Sequence, residues 1–303
     1  MNNNQPSHQR PTPEVAIITI ERDEEQASTP IISNRPKRRH PLLWITAIAL
    51  LFLGIGAALY AYKSWHFYHN LGVTISCTPA QNIEKLKATP APREPQIVMT
   101  TDSILGVGLN IYTLHGVAGT IEFQEPDTAD ASVYLYCRSA DFKADGSYIG
   151  SLIAQGKELA NSNKRLGYMA MANGNNVVGI ARSEEVKDYV AKQNGSFFRQ
   201  FILVSNGELP PRFYLHGKVE RCAMGRIDNQ IYYITSRNRE TMWSFADALR
   251  EYGFTDAIYI TGGKDYAFYR DKEGKRHDIH NPADYPHKKW AGIIPWLVFR
   301  KSK

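Results

Sequence analysis

The spacing of apolar and polar positions along this chain predicts most of its elements. Alternation in Val133-Tyr134-Leu135-Tyr136-Cys137 puts Val133, Leu135 and Cys137 on one face of a strand. Similar β-branched and aromatic runs predict strands over 96–99, 111–117, 119–123 and 168–172, the last ending in Asn173-Gly174. Residues 197–205 predict a strand closed by Asn206-Gly207, and 220–227 with 230–236 a hairpin turning through Asp228-Asn229. Residues 257–260 and 266–269 flank Thr261-Gly262-Gly263, and 292–299 form a final apolar strand.

Helical periodicity is rarer. Met242, Phe245, Ala246 and Leu249 share one face of a helix that Thr241 can cap and Gly253 can stop. Residues 183–192 predict a shorter helix with Ser183 as its cap, and 152–161 another. These elements predict a strand-rich α+β domain over 96–303, with a few helices packed on the sheet.

Ahead of the domain the pattern changes. Residues 42–62 carry no charge and are long enough, as a helix, to cross a hydrocarbon layer of roughly 30 Å. Trp44 near one end and Tyr60, Tyr62 and Trp65 near the other suit the two membrane interfaces. The length of the run and of the segment before it argues against a cleaved signal peptide, and the missing polar face argues against a core helix. We therefore expect a membrane anchor over 41–63. Arg35, Lys37, Arg38 and Arg39 precede it, which predicts a cytoplasmic N-terminus and an extracytoplasmic C-terminal domain, periplasmic in a Gram-negative bacterium. Residues 1–40 are too polar to bury a core, and 64–95, punctuated by Pro79, Pro90, Pro92 and Pro95, read as a stalk that can hold a short helix over 81–87. Gly54 and Ala58, a small-xxx-small pair, or Cys77 in the stalk offer routes to a homodimer.

Charge and cysteine usage narrow the chemistry. The 303 residues carry a net charge of +6 without a basic stripe interleaved with aromatics, so nucleic acid is not indicated. Cys77, Cys137 and Cys222 are too scattered for a metal site, and a Cys137–Cys222 disulfide is compatible with an oxidising compartment without being required. His277 and His280 flank Asp278 but lack a third ligand by spacing, so no metal or other cofactor is expected.

Three motifs carry a resemblance. Ala170-Met171-Ala172-Asn173-Gly174-Asn175 ends one strand, and Arg221-Cys222-Ala223-Met224-Gly225 lies on another. Asp256-Ala257-Ile258-Tyr259-Ile260-Thr261-Gly262-Gly263-Lys264-Asp265 follows the Thr241 helix. Their order over residues 167–269 resembles the phosphodiester glycosidase family. The resemblance implies a cleft that holds a glycan sugar-phosphodiester, with Asn173, Gly174, Arg199, Arg221, Thr261, Gly262, Gly263 and Lys264 as substrate-binding residues.

The chain departs from the family where its chemistry is centred. Thr261 stands where the family has an aspartate before Gly-Gly, and Asn175 replaces the second glycine of Asn-Gly-Gly. Cleavage at an anomeric carbon needs a carboxylate as base, nucleophile or ion partner, which Thr261 cannot supply. Asp265 becomes the catalytic candidate. Two readings stay open: an anchored phosphodiester-glycosidase-like hydrolase, or a catalytically silent member of the fold that binds glycan or a partner protein in the cell envelope.

Overall fold

The computed structural model describes residues 41–69 (side chains as far as Trp65), 73–162, 164–213, 215–263, 266–279 and 292–302. The N-terminal helix α1, Pro41–His69, contains a span of 25 residues, Pro41–Trp65, with a mean hydropathy of 2.4 and no buried residue. It is long and apolar enough to cross a membrane.

The elements that follow are short. Helix α2 is Pro79–Lys87; β1 is Gln96–Ile104, β2 Val107–His115, β3 Val117–Glu122 and β4 Val133–Arg138. Next come β5 Leu152–Ala154, β6 Lys157–Ala160, β7 Gly167–Ala172, β8 Asn175–Ile180 and helix α3 Glu185–Lys192. Then β9 Ser196–Gln200, β10 Ile202–Ser205, β11 Arg221–Ile227, β12 Gln230–Ser236 and helix α4 Met242–Tyr252 lead to β13 Asp256–Gly262. Strands β14 Phe268–Arg270, β15 Arg276–Asp278 and β16 Trp296–Lys301 complete the chain, an α+β arrangement as the periodicity predicts.

The strands form three sheets, paired antiparallel throughout. Their orders are β1-β2-β12-β11-β13-β10, β15-β14-β4-β16-β3 and β6-β5-β9-β7-β8. All three turn apolar faces to one shared core, where Ile97 and Ile260 meet Leu135 and Phe299 and Met169 and Phe198. Alternation along β13 explains why the sheet is covered on both sides. Ile258 and Ile260 point to this core, whereas Ala257 and Tyr259 point to α4, with Phe245 and Leu249. Each fully buried side chain of this kind contributes about 1.5–3 kcal/mol. The Thr241 hydroxyl accepts from Ser244 N at 2.9 Å, and Gly253 closes α4 with φ +109°, as its sequence predicts.

Three elements differ from the sequence reading. Residues 152–161 are the β5–β6 hairpin and not a helix: Gln155 and Gly156 adopt φ +48° and +81°, which reverses the chain after only three strand residues. Residues 197–205 are two strands, because the chain leaves one sheet and enters another at Phe201. The short helix expected within the stalk is present as α2, but it packs on the domain: its Leu86 is buried against Tyr168 and Val190, and its Asn82 donates to the Tyr168 hydroxyl at 2.6 Å. Packing onto the domain begins earlier still, where the Ser205 hydroxyl donates to the Thr74 carbonyl. All three cysteines are free thiols, with Cys137 and Cys222 in the shared core.

Candidate functional site

The residues singled out from sequence fall into three places. Arg221, Thr261, Gly262 and Gly263 lie together, because Arg221 at the start of β11 pairs with Gly262 at the end of β13. Asn173 and Gly174 do not join them. Gly174 lines a hollow with Gln230 and Asn229, beyond the far end of β11. A strand of this length separates the two ends by about 20 Å. Asn173 sits in the β7–β8 turn at φ +53°, and its amide donates to the Leu86 carbonyl at 3.2 Å and the Tyr189 hydroxyl at 2.9 Å. It therefore clamps α2 and α3 to the turn.

Arg199 lies in neither place. It is 1% exposed and donates to the carbonyls of Arg165, Ala181 and Ser183 and to the Glu184 carboxylate, at 2.6–3.1 Å. Burial lowers its pKa, with Glu184 opposing. A guanidinium so committed braces the third sheet. Lys264 and Asp265 lie outside the described residues.

At the Arg221 end the backbone is more committed than the sequence suggests. Gly263, at φ +88°, spends its N–H on the Glu220 carbonyl at 2.8 Å, so the Gly-Gly pair ends the strand there rather than offering that group to a phosphate. Gly262 is needed for space. A Cβ there would fall on the Tyr259 hydroxyl and 2.9 Å from Val219. Thr261 is buried on the same strand.

Tyr259 is the centre of the arrangement. Its hydroxyl accepts from Arg221 Nη1 at 3.3 Å, while Arg221 Nε and Nη2 are fixed by the carbonyls of Glu240 and Gly217. Burial raises the Tyr259 pKa, Arg221 opposes this and the nearby Asp141 carboxylate adds to it. Asp141 takes an ion pair from Arg165 Nη1 at 3.2 Å, and Arg138 Nη2 stands 4.0 Å from its other oxygen. Arg165 is 4% exposed at its side chain and lies 4.1 Å above the Phe201 ring. It also donates to Gln200, whose amide in turn donates to the Ile260 carbonyl at 3.1 Å. This chain of contacts ties the loop after β4 to the end of β13.

Two guanidinium groups, Arg138 and Arg165, thus flank the Asp141 carboxylate, and a third, Arg221, holds the Tyr259 hydroxyl, whose pKa the Asp141 charge also raises. The Glu240 carboxylate is taken up by the Ser244 hydroxyl at 3.0 Å. Such an arrangement can hold a monoanion by charge-assisted hydrogen bonds. Arg138, Asp141 and Arg165 belong to no recognisable motif. Only the folded chain brings them together, with Gln200 linking Arg165 to β13.

His277 is bonded to Asp271 at 2.7 Å and stacked on Tyr269, and His280 lies outside the described residues. Among the described residues no three His, Cys, Asp or Glu side chains group as a metal site.

No protein-family model matches the chain, and no curated protein sequence matches it. Solved structures do resemble it. The catalytic domain of zebrafish N-acetylglucosamine-1-phosphodiester alpha-N-acetylglucosaminidase, auto-inhibited by its pro-peptide, aligns with a TM-score of 0.47 at 15% identity, over 71% of this chain and 85% of that one. A hypothetical protein from Synechocystis aligns with a TM-score of 0.42 at 10% identity, over 67% of this chain and 62% of that one. Both likenesses are distant.

Proposed function

We propose that this chain is a membrane-anchored protein whose extracytoplasmic domain recognises a glycan sugar-phosphodiester at the Arg138–Asp141–Arg165–Tyr259–Arg221 cluster. The observation that carries this reading is the Asp141 carboxylate flanked by two guanidinium groups, Arg138 and Arg165, with a third, Arg221, on the buried Tyr259 hydroxyl. A phosphodiester carries a single negative charge and oxygens that accept hydrogen bonds, which suits planar arginine donors better than point charges. The motifs over residues 167–269 supply the substrate class, and the basic residues before α1 supply the orientation in the membrane. Gly54, Ala58 and Cys77 make a homodimer part of the same proposal.

Hydrolysis is a second reading, favoured by Asp141. Thr261 leaves the end of β13 without the family's acid, but Asp141 is a carboxylate in the same cluster, about a quarter exposed at its side chain. Held by Arg165, it is suited to stabilise an oxocarbenium-like state if the anomeric carbon lies beside it.

The test uses the full-length protein in lipid nanodiscs, titrated with methyl and benzyl sugar-1-phosphodiesters while free sugar is monitored. Saturable binding that weakens about tenfold or more in Arg165→Met and Arg221→Met supports recognition. Release of sugar that is lost in Asp141→Asn supports hydrolysis. Absence of binding by a folded protein would overturn both readings.

A further inference from the structure

A hollow of about 460 Å³ opens between the end of β3 and the β5–β6 hairpin, apart from the arginine cluster. Ile121, Phe123 and Leu159 form its apolar floor, and Gln124, Gln155 and Lys157 stand on its rim. Its volume falls within the roughly 300–1,000 Å³ of small-molecule sites. Its walls are fastened together. The buried Ser196 hydroxyl accepts from Ile121 N at 3.1 Å on one wall and from Gln155 N at 3.2 Å on the other. Gly156 N donates to the Gly195 carbonyl at 2.7 Å, which fixes the turn that carries Gln155. The hollow is therefore part of the folded domain and does not depend on side-chain rearrangement.

The lining defines a ligand class. An aromatic ring and aliphatic carbons at the floor suit the C–H face of a pyranose. The amides on the rim each offer donors and an acceptor, matching hydroxyl groups that both donate and accept. The Glu122 carboxylate is engaged by Arg300, with one contact at 3.3 Å, so the rim carries no unopposed acidic charge that would select a cation. An aromatic row leads away from the hollow. The Phe123 ring lies 6.1 Å from that of Tyr148, Tyr148 is bridged across the backbone to Phe142, and Arg138 stands 4.8 Å above Phe142. The row ends at the arginine cluster.

We infer that this hollow is a second binding site, which takes an uncharged sugar ring of a glycan chain. The site does not require phosphodiester recognition. If both sites act, the row between them lets one glycan occupy both, with its charged linkage at the arginines and a neutral unit on Phe123.

The test is saturation-transfer NMR on the full-length protein in nanodiscs, with cellotetraose, maltotetraose and chitotetraose as probes. At least one of them should give saturable transfer. Gln124→Ala/Gln155→Gly, which removes both amides from the rim without touching the core, should weaken it about tenfold with an unchanged melting temperature. Phe123→Ala should abolish it. Arg221→Met should leave it intact, so that failure of phosphodiester binding and failure of this site are read separately. No transfer from any of the three sugars, or transfer unchanged in the rim variant, overturns the inference.

Discussion

The guanidinium of Arg226 grips a single oxygen of Asp256 through both Nε and Nη2, at 2.8 and 2.7 Å, and Asp256 has no solvent exposure. Ser76 closes the arrangement, its hydroxyl shared with Asp256 and accepting from Arg226 Nη2 at 2.7 Å. The first residue of the Asp256–Asp265 motif is therefore an anchor for the segment before α2. Removing one partner of a buried ion pair strands the other charge, so Asp256→Ala should destabilise the domain by about 3–5 kcal/mol. Chemical denaturation will measure this. An Arg226→Met/Asp256→Leu double variant should recover a large part of the loss, because the stranded charge is then absent.

Arg199 should behave as a structural brace. Arg199→Met leaves three buried carbonyls with one donor fewer each, and a loss of about 2–4 kcal/mol is expected. Ligand affinity of the folded fraction should not change. A variant of ordinary stability that failed to bind would instead put Arg199 in the site.

Gly262→Ala should act through Tyr259. The added methyl collides with the Tyr259 hydroxyl and crowds Val219, so the ring must leave its contact with Arg221. Phosphodiester binding is expected to fall about tenfold or more. Gly207→Ala, at a turn with φ +74° and open space around it, is the control for backbone strain alone and should leave binding unaltered.

His115 should give the fold a pH dependence of known sign. Burial, reinforced by the charge of Arg93, holds its pKa below the ordinary 6.5. As pH falls the unfolded chain takes up the proton first. The contribution is present above pH 6.5 and is lost as pH falls toward the depressed folded value. Melting temperatures of wild type and His115→Gln, compared at about pH 7.5 and about pH 5, should differ in slope, with the variant flatter.

Local signals were sufficient wherever a cap, a stop or a turn sits next to its own element. Thr241 and Gly253 bound α4, and Asp228, at φ +53°, turns the β11–β12 hairpin. Residues 152–161 misled because Leu152, Ile153, Leu159 and Ala160 suit a helix face as well as a strand pair, and Gln155 is an uncommon residue at φ +48°. Phe201 gives no local sign that the chain changes sheets there. The site shows the same division. Arg221 and Gly262 become neighbours through strand pairing, which their motifs anticipate. Asp141 and Arg165 meet only through the packing of a loop, and no local signal shows that Arg199 donates to three buried carbonyls.

The position of β16 has a consequence for how the second sheet closes. This strand lies between β3 and β4, with Leu297 opposite both Ile121 and Cys137. Through it alone β3 joins this sheet, and it covers the edge of β4 that β14 does not. The second sheet is therefore one piece only when residues 296–301 are in place, and pairing over such sequence distances is slow. Open edges of this kind invite pairing with other chains. Strand β16 is therefore the element that shields the β4 edge from such pairing.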